Sequence, residues 1–478
     1  MENKTEQKKP PLWLALVPFA CLILVMLPSV ILLGASPQIP LIISIMVTSL
    51  IGILALGCRW EQIEKAMVDA NAMAMQANFI IMIVGCLIGV WMAGGIVPGL
   101  IYYGLKIFTP GIFLTCLPAI CAIISVCTGS AWTTAGTIGI AAMGIAAGLG
   151  IPLPIAAGAI ITGAQLGDKL SPLSDSTNLA AGVTGVNLFD HVKHMLWTTV
   201  PSFLIANVIF AVIGTRYSSD AADISQINMI CDTLQANFKI TPWIFIAPAS
   251  VILMIILKIP AIPGMVFGTV VGVVFAFVQG EDAGAVVNQM IYGYELSTGN
   301  GMVDTLLNRG GMQEMMYTIS LVICALAFGG AVKSIGCLDT ITGVLLKKCQ
   351  SRGSVMTTNI LVCIATNFMT ADQYMSIAIP GQMFKDVYRE LNLHPKNLAR
   401  LLEDSGTMTS AIVPWSTCGA FYYSTLGVSA FVYFPYCFMS FITPVITAVF
   451  AFTGISLAPL DKSKPIENTI DFFDDFDD

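Results

Sequence analysis

The sequence predicts an all-α polytopic membrane protein of two inverted repeats, with about ten transmembrane helices, two re-entrant hairpins and broken helices at the midplane. Three observations carry this. Hydrophobic residues make up 56% of the 478 and charged residues 11%, with a mean hydropathy of +0.81, whereas a soluble domain carries roughly 25% charge. The apolar residues fall in long runs parted by short polar breaks. The order of runs and breaks in the first half recurs in the second. The net charge of −7 is inflated by the acidic stretch Asp471 to Asp478, and nothing in the chain resembles a nucleic-acid surface. The 13 cysteines sit mostly in apolar segments without CxxC spacing, which reads as small buried side chains and not as a metal site.

In chain order, residues 1–11 are a polar N-terminus with Lys4, Lys8 and Lys9. Leu12 to Leu33 is long enough to span, with no small-residue cleavage site after it, so it reads as a retained helix. Leu41 to Leu56 is a second span. Cys58 to Asn78 is amphipathic and suits the interface. Phe79 to Leu105 is a third span. Ile112 to Val126 is apolar but short and stops at Cys127-Thr-Gly-Ser130, with a Gly/Ala-rich segment after it; this is the first hairpin. Pro154 to Leu166 runs into the polar stretch Gly167 to Asn178, and Leu196 to Gly214 spans again. Residues 217–241 form an external loop. The second half, 242–454, repeats the pattern: two spans, an amphipathic connector, the span Tyr317 to Leu346, a hairpin with its tip at Met369 to Gln373, a helix broken at Val413 to Gly419, and a last span. Residues 455–478 are an acidic tail. The first repeat covers 12–216.

Adding 242 to a position maps Thr128 onto Thr370, Pro172 onto Pro414, Ser174 onto Ser416 and Gly185-Val186 onto Gly427-Val428. Upstream, Gly94-Gly95 matches Gly329-Gly330. Charge tests inversion independently, because inverted repeats put equivalent loops on opposite sides. The link Met143 to Gly158 has no Lys or Arg, while its equivalent Lys385 to Arg400 is rich in them. Two further loop pairs show the same asymmetry. With both termini cytoplasmic, sixteen of the 22 basic residues lie inside, and Lys169 and Lys333 lie at membrane depth.

Carboxylates and hydroxyls at that depth are expensive unless they line a cavity or hold an ion. Broken helices also present free carbonyls and helix ends there. The candidate ion- or substrate-binding residues are Thr128, Gly129, Ser130, Asp168, Lys169, Ser171, Ser174, Asp175, Thr177 and Asn178, with Thr370, Asp372, Ser416 and Thr417 from the second half. Asp175, Ser174 and Thr128 are the expected Na+ ligands. Asp168 and Asp175 would share a face on an unbroken helix. A Lys169 that neutralises Asp168 leaves Asp175 as the proton carrier. Lys333 is expected to pair with Asp339. Glu403 and Asp404 are expected to be interfacial or structural, and His191, His194 and His394 interfacial. No HExxH or GxSxG occurs, so an enzyme is not expected, and no cofactor beyond the transported Na+ and H+.

The stretch Gly167-Asp-Lys-Leu-Ser-Pro-Leu-Ser-Asp-Ser-Thr-Asn-Leu-Ala180 resembles the signature of the NhaC family of Na+/H+ antiporters, which commonly has Thr where this chain has Ser176. Val413-Pro-Trp-Ser-Thr-Cys-Gly419 and the overall hydropathy are also similar, so the resemblance covers nearly the whole chain. It implies a secondary transporter of the cell inner membrane with elevator-type motion, and a homodimer. The family also contains exchangers that couple Na+–lactate to H+–malate, and the motif does not separate the two activities.

Overall fold

The computed structural model describes residues 10–33, 35–219, 224–257, 259–346, 349, 351–464 and 466. Most of the basic N-terminus and of the acidic tail lies outside the described residues. The first half runs α1 (Leu12–Leu33), α2 (Gln38–Leu56), α3 (Trp60–Met73), α4 (Met75–Ala93), α5 (Ile96–Ile107), α6 (Pro110–Thr128), α7 (Ala131–Thr134), a π turn (Ala135–Gly139), α8 (Ile140–Gly148), α9 (Leu153–Leu170), α10 (Asp175–Thr184) and α11 (Leu188–Ser219). After α12 (Ile224–Asn237), the second half runs α13 (Ile246–Ile256), α14 (Ala261–Gln279), α15 (Ala283–Tyr292), α16 (Gly301–Leu307), α17 (Met312–Ser334) and α18 (Cys337–Leu346). It continues with α19 (Arg352–Thr370), α20 (Gln373–Glu390), α21 (Pro395–Leu402), a π turn (Glu403–Thr407), α22 (Met408–Ser410), α23 (Thr417–Leu426), α24 (Ala430–Tyr433) and α25 (Phe438–Thr453).

The internal repeat reaches the backbone. Adding 242 to the bounds of α6 and α10 gives those of α19 and α23, and α7 and α20 start at equivalent residues. Both hairpin tips close with a left-handed residue, Gly129 (φ 66°) and its equivalent Ala371 (φ 56°). That conformation ends a helix by satisfying a last-turn carbonyl, and it is strained for Ala371, which has a Cβ. A matching bond ties each first hairpin arm to its broken helix. The Ser125 hydroxyl donates to Ala164 O and the Asn367 amide donates to Gly406 O, both at 2.6 Å. Upstream, the structure corrects the expected Gly94-Gly95 match: left-handed Gly95 (φ 68°) corresponds to Gly336 (φ 73°), each separating a long helix from a short one.

Among the described residues, seven helices are long and apolar enough to cross a membrane, or up to nine if each of two bent pairs is one span. The sequence suggested about ten. Two of the seven are the arms of the first hairpin, which the sequence reading did not count as spans. Its arms Pro110–Thr128 and Ala131–Gly148 have 19 and 18 residues, at 1.5 Å per residue close to the ~30 Å hydrocarbon thickness. They are therefore not the half-length pieces the sequence suggested. Pro118 sits inside α6 without ending it, and the polar Cys127-Thr128 remains helical. The described residues of 217–241 are largely helical and not a loop, because α11 continues to Ser219 and α12 covers Ile224–Asn237. Ile227–Asn237 meets Pro242–Met254 at 92°.

Large apolar side chains such as Leu54, Val208 and Val278 point outward, as a lipid-facing surface requires. Inside, α6 and α9 make the most extensive helix pairing among the described residues, because Gly163 and Gly167 let α9 approach the α6 backbone. A Cβ on Gly163 would lie 2.2 Å from Pro118 O, and one on Gly167 2.4 Å from Val126 N.

Candidate functional site

Each hairpin tip sits on a helix break. The first break runs from Ser171 to Ser174, between α9 and α10. Pro172 has no N–H to continue the helix, and the loop is tied locally. Thr177 donates to Lys169 O at 3.0 Å across the break, and the Asn178 amide donates to Ser174 O (2.8 Å) and Pro172 O (3.0 Å). The Ser171 hydroxyl accepts from Leu173 N at 3.3 Å. Tip 1 packs directly on this loop: a Cβ at Gly129 would come 2.6 Å from Leu173 Cβ and 3.2 Å from Ser171 Oγ. Thr128 hydrogen-bonds within the tip, to Ser130 O (3.3 Å) and Ser125 O (3.3 Å), and Ser130 caps α7 by accepting from Thr133 N.

The second break runs from Ala411 to Ser416. Ser416 caps α23, accepting from Gly419 N at 2.9 Å while its own proton goes to Ser410 O at 2.6 Å. Tip 2 docks on it through backbone: Thr417 N donates to Ala371 O at 2.8 Å, and the Trp415 indole donates to Phe368 O at 3.0 Å. Asp372 caps α20 by accepting from Met375 N, and Thr370 donates to Thr366 O. The halves interlock reciprocally. α10 packs on α20, and α23 packs on the π turn after α7, where Trp132 stacks on Phe421 at 4.6 Å and 8°.

The candidates do not form one cluster. Asp168 is half-buried, faced by the Ser174 hydroxyl and the Ala131 amide. It shares an electrostatic neighbourhood with Asp175 and, around Tyr374, with Asp372. Asp175 is exposed at the first turn of α10, as is Asn178. Asp168 and Asp175 thus do not share a helix face, because the break intervenes. Thr370 and Asp372 instead line a cavity of about 280 Å³ against α3 and α17, with Asp69, Lys333 and Met375. Lys333 does not pair with Asp339 but opens to that cavity.

Lys169 belongs elsewhere. It does not neutralise Asp168: consecutive helical side chains point about 100° apart, and Lys169 forms an ion pair with Asp404 at zero exposure for both side chains. Asp404 also accepts from the Thr198 hydroxyl (2.9 Å) and the Thr447 hydroxyl (2.5 Å), and Arg400 Nε lies 3.9 Å away. Arg400, expected in a cytoplasmic link, is fully buried and donates to Ser456 O at 3.0 Å. His191 is fully buried beside Lys169 and Arg400, and His194 bonds Asn397 at 3.1 Å. Both side chains are buried within the protein.

Sequence reasoning did not foresee that Glu403, Asp404 and Arg400 are fully buried, nor that Tyr374 lies near Asp168, Asp175 and Asp372. Their repeat equivalents are no guide, since Glu403 and Asp404 map onto Ile161 and Thr162. One signal was present: two adjacent carboxylates just before a helix break in an apolar context.

Two hairpin tips are thus seated on two helix breaks, with Asp168 and Asp175 flanking the first break and Asp372 at the second tip. The family model for the Na+/H+ antiporter family matches residues 11–177 and 163–455. The chain belongs to the Na+/H+ antiporter family. Two relatives named Na+/H+ antiporter NhaC are similar along most of their length. That of Alkalihalophilus pseudofirmus is 40% identical over 94% of this chain and 97% of its own; that of Bacillus subtilis is 36% identical over 93% and 99%. A malate-2H+/Na+-lactate antiporter of Bacillus subtilis is 38% identical over 87% of this chain and 89% of its own. Membership in this antiporter family therefore leaves the cargo to be argued from the site.

Proposed function

We propose that the chain exchanges Na+ for H+ across the cell inner membrane by alternating access. The observation that carries this reading is that each hairpin tip is seated on its own helix break, with Asp168 and Asp175 flanking the first and Asp372 at the tip seated on the second. Na+ enters against Asp175, Ser174 and Thr128. The carbonyls and hydroxyls of Gly129, Ser130, Ser171, Thr177 and Asn178 border this entry, and Thr370, Asp372, Ser416 and Thr417 border the other. The halves are inverted, with both termini cytoplasmic. The 165–407 contact, in which the Gln165 amide donates to Thr407 O at 3.4 Å, supports a two-fold relation because the residues are repeat equivalents. Each tip is seated closely on its break, so tips and breaks travel as one body in an elevator motion. The working unit is a homodimer.

The malate–lactate reading needs a free cation for a carboxylate. Lys169 is engaged by Asp404. Lys333 on the cavity wall is the observation that favours this second reading, and two carboxylates share that cavity with it.

Purified protein is expected to release protons when Na+ is added. Asp175→Asn is expected to reduce that release and to weaken Na+ binding by about tenfold or more, the loss of one charged ligand. Wild-type release and affinity in this variant would remove Asp175 from the carrier role.

A further inference from the structure

Four buried side-chain oxygens without a hydrogen bond fall within a single turn: both carboxyl oxygens of Glu403, the Ser405 hydroxyl and the Thr407 hydroxyl. They lie in the π turn Glu403–Thr407, where every residue is buried. π turns are rare and recur at functional sites. One unmet buried polar group is costly and a buried carboxylate more so, so this concentration of unmet oxygens points to a ligand. α10 packs on this turn, and its Ser176 and the turn's own Thr407 are the hydroxyls nearest the Glu403 carboxylate, close enough to act on its charge without closing a hydrogen bond to it. Glu403 is 0% exposed, Thr407 1% and Ser176 2%.

We propose that Glu403, Ser176 and Thr407 form an enclosed site for one monovalent cation, held either as Na+ or as a proton on the carboxyl group. This deepens the exchange reading and rests on it. Carboxylate and hydroxyl oxygens suit a small, hard cation. When Na+ arrives, the carboxyl O–H bond breaks, the proton leaves to water, and a carboxylate–Na+ contact forms. The site is neutral before and after, so neither form leaves an uncompensated charge in the interior. The site connects to the entry described above, since Ser176 Oγ lies 3.1 Å from Ser174 Oγ.

The charged neighbours leave Glu403 free for this role. Asp168 and Lys169 face it from α9, but Lys169 is held by Asp404. On its own helix, Arg400 turns to Ser456 and Asp404 to Thr198 and Thr447. From α10 comes only the exposed Asp175. Of α19, α22 and α25, only α19 carries titratable groups, Cys363 and an Arg352 that donates to Ala451 O. α20 carries Tyr374 at its start, and Lys385, Asp386, Tyr388, Arg389 and Glu390 at its far end.

The test is Na+ titration calorimetry on the purified full-length protein from mildly acidic to alkaline pH. Wild-type affinity is expected to rise with pH as the carboxyl proton stops competing. Glu403→Gln is expected to lower Na+ affinity about ten- to hundredfold, as for a lost charge-assisted contact, and to flatten the pH dependence; Glu403→Asp restores part of both. Ser176→Ala and Thr407→Val are each expected to weaken Na+ several-fold while keeping the pH slope. Wild-type affinity and slope in Glu403→Gln overturn the site, as does unchanged affinity in both hydroxyl variants should Glu403→Gln not fold. A wild type whose Na+ affinity ignores pH overturns the exchange reading itself, a result distinct from either.

Discussion

Asp404→Asn is expected to destabilise the protein by about 3–5 kcal/mol, the cost of breaking a buried ion pair from one side. The asparagine keeps the shape but removes the charge, leaving the Lys169 ammonium and the Arg400 guanidinium together with no anion between them. Both are fully buried, so water cannot reach them to compensate. The Thr198 and Thr447 hydroxyls would also lose a charged acceptor. The measurement is the thermal midpoint of the purified protein. The triple variant Lys169→Met/Arg400→Met/Asp404→Leu is expected to be markedly more stable than Asp404→Asn, because it removes both stranded cations along with their partner. Equal loss in both would mean that packing, and not charge, governs this centre.

The second large effect lies where α9 meets α6. Gly163→Leu is expected to cost about 1–3 kcal/mol through overpacking and to abolish most exchange. Even the first added carbon meets the Pro118 carbonyl at 2.2 Å and Cys121 Cβ at 2.7 Å, so α6 must move away from α9. The tip at Gly129 sits at the end of α6, directly against the Ser171–Leu173 turn, and it would lift off the break. Transport assays alongside thermal midpoints separate the two consequences. Full exchange in a folded Gly163→Leu protein would show that tip and break need not stay in register.

The helices and the repeat were legible in the sequence because membrane insertion imposes long apolar runs, and because equivalent breaks carry equivalent residues. Ser174 and Ser416 occupy matching N-cap positions, and Gly185 and Gly427 are both left-handed. The hairpin arms were read too short because polarity at Cys127 and Thr128 was taken as the end of a helix that runs through them. The site was legible only in part. The motif around Gly167 to Asn178 led to Asp168, Ser171, Ser174 and Thr177, which surround the first break. Which carboxylate meets which cation depends on contacts more than 200 residues apart, such as Lys169 with Asp404, and hydropathy carries no trace of them. The break itself sends Asp168 and Asp175 to different surroundings, which spacing along an ideal helix does not foresee.

The central claim is that this chain exchanges Na+ for H+ without an organic substrate. Everted membrane vesicles with an established ΔpH, reported by a fluorescent amine, test it most directly. Addition of Na+ alone is expected to collapse the gradient in vesicles containing the protein and not in vesicles lacking it. A gradient that survives Na+ and collapses only when malate or lactate is supplied would contradict the claim and assign the chain to organic-acid exchange.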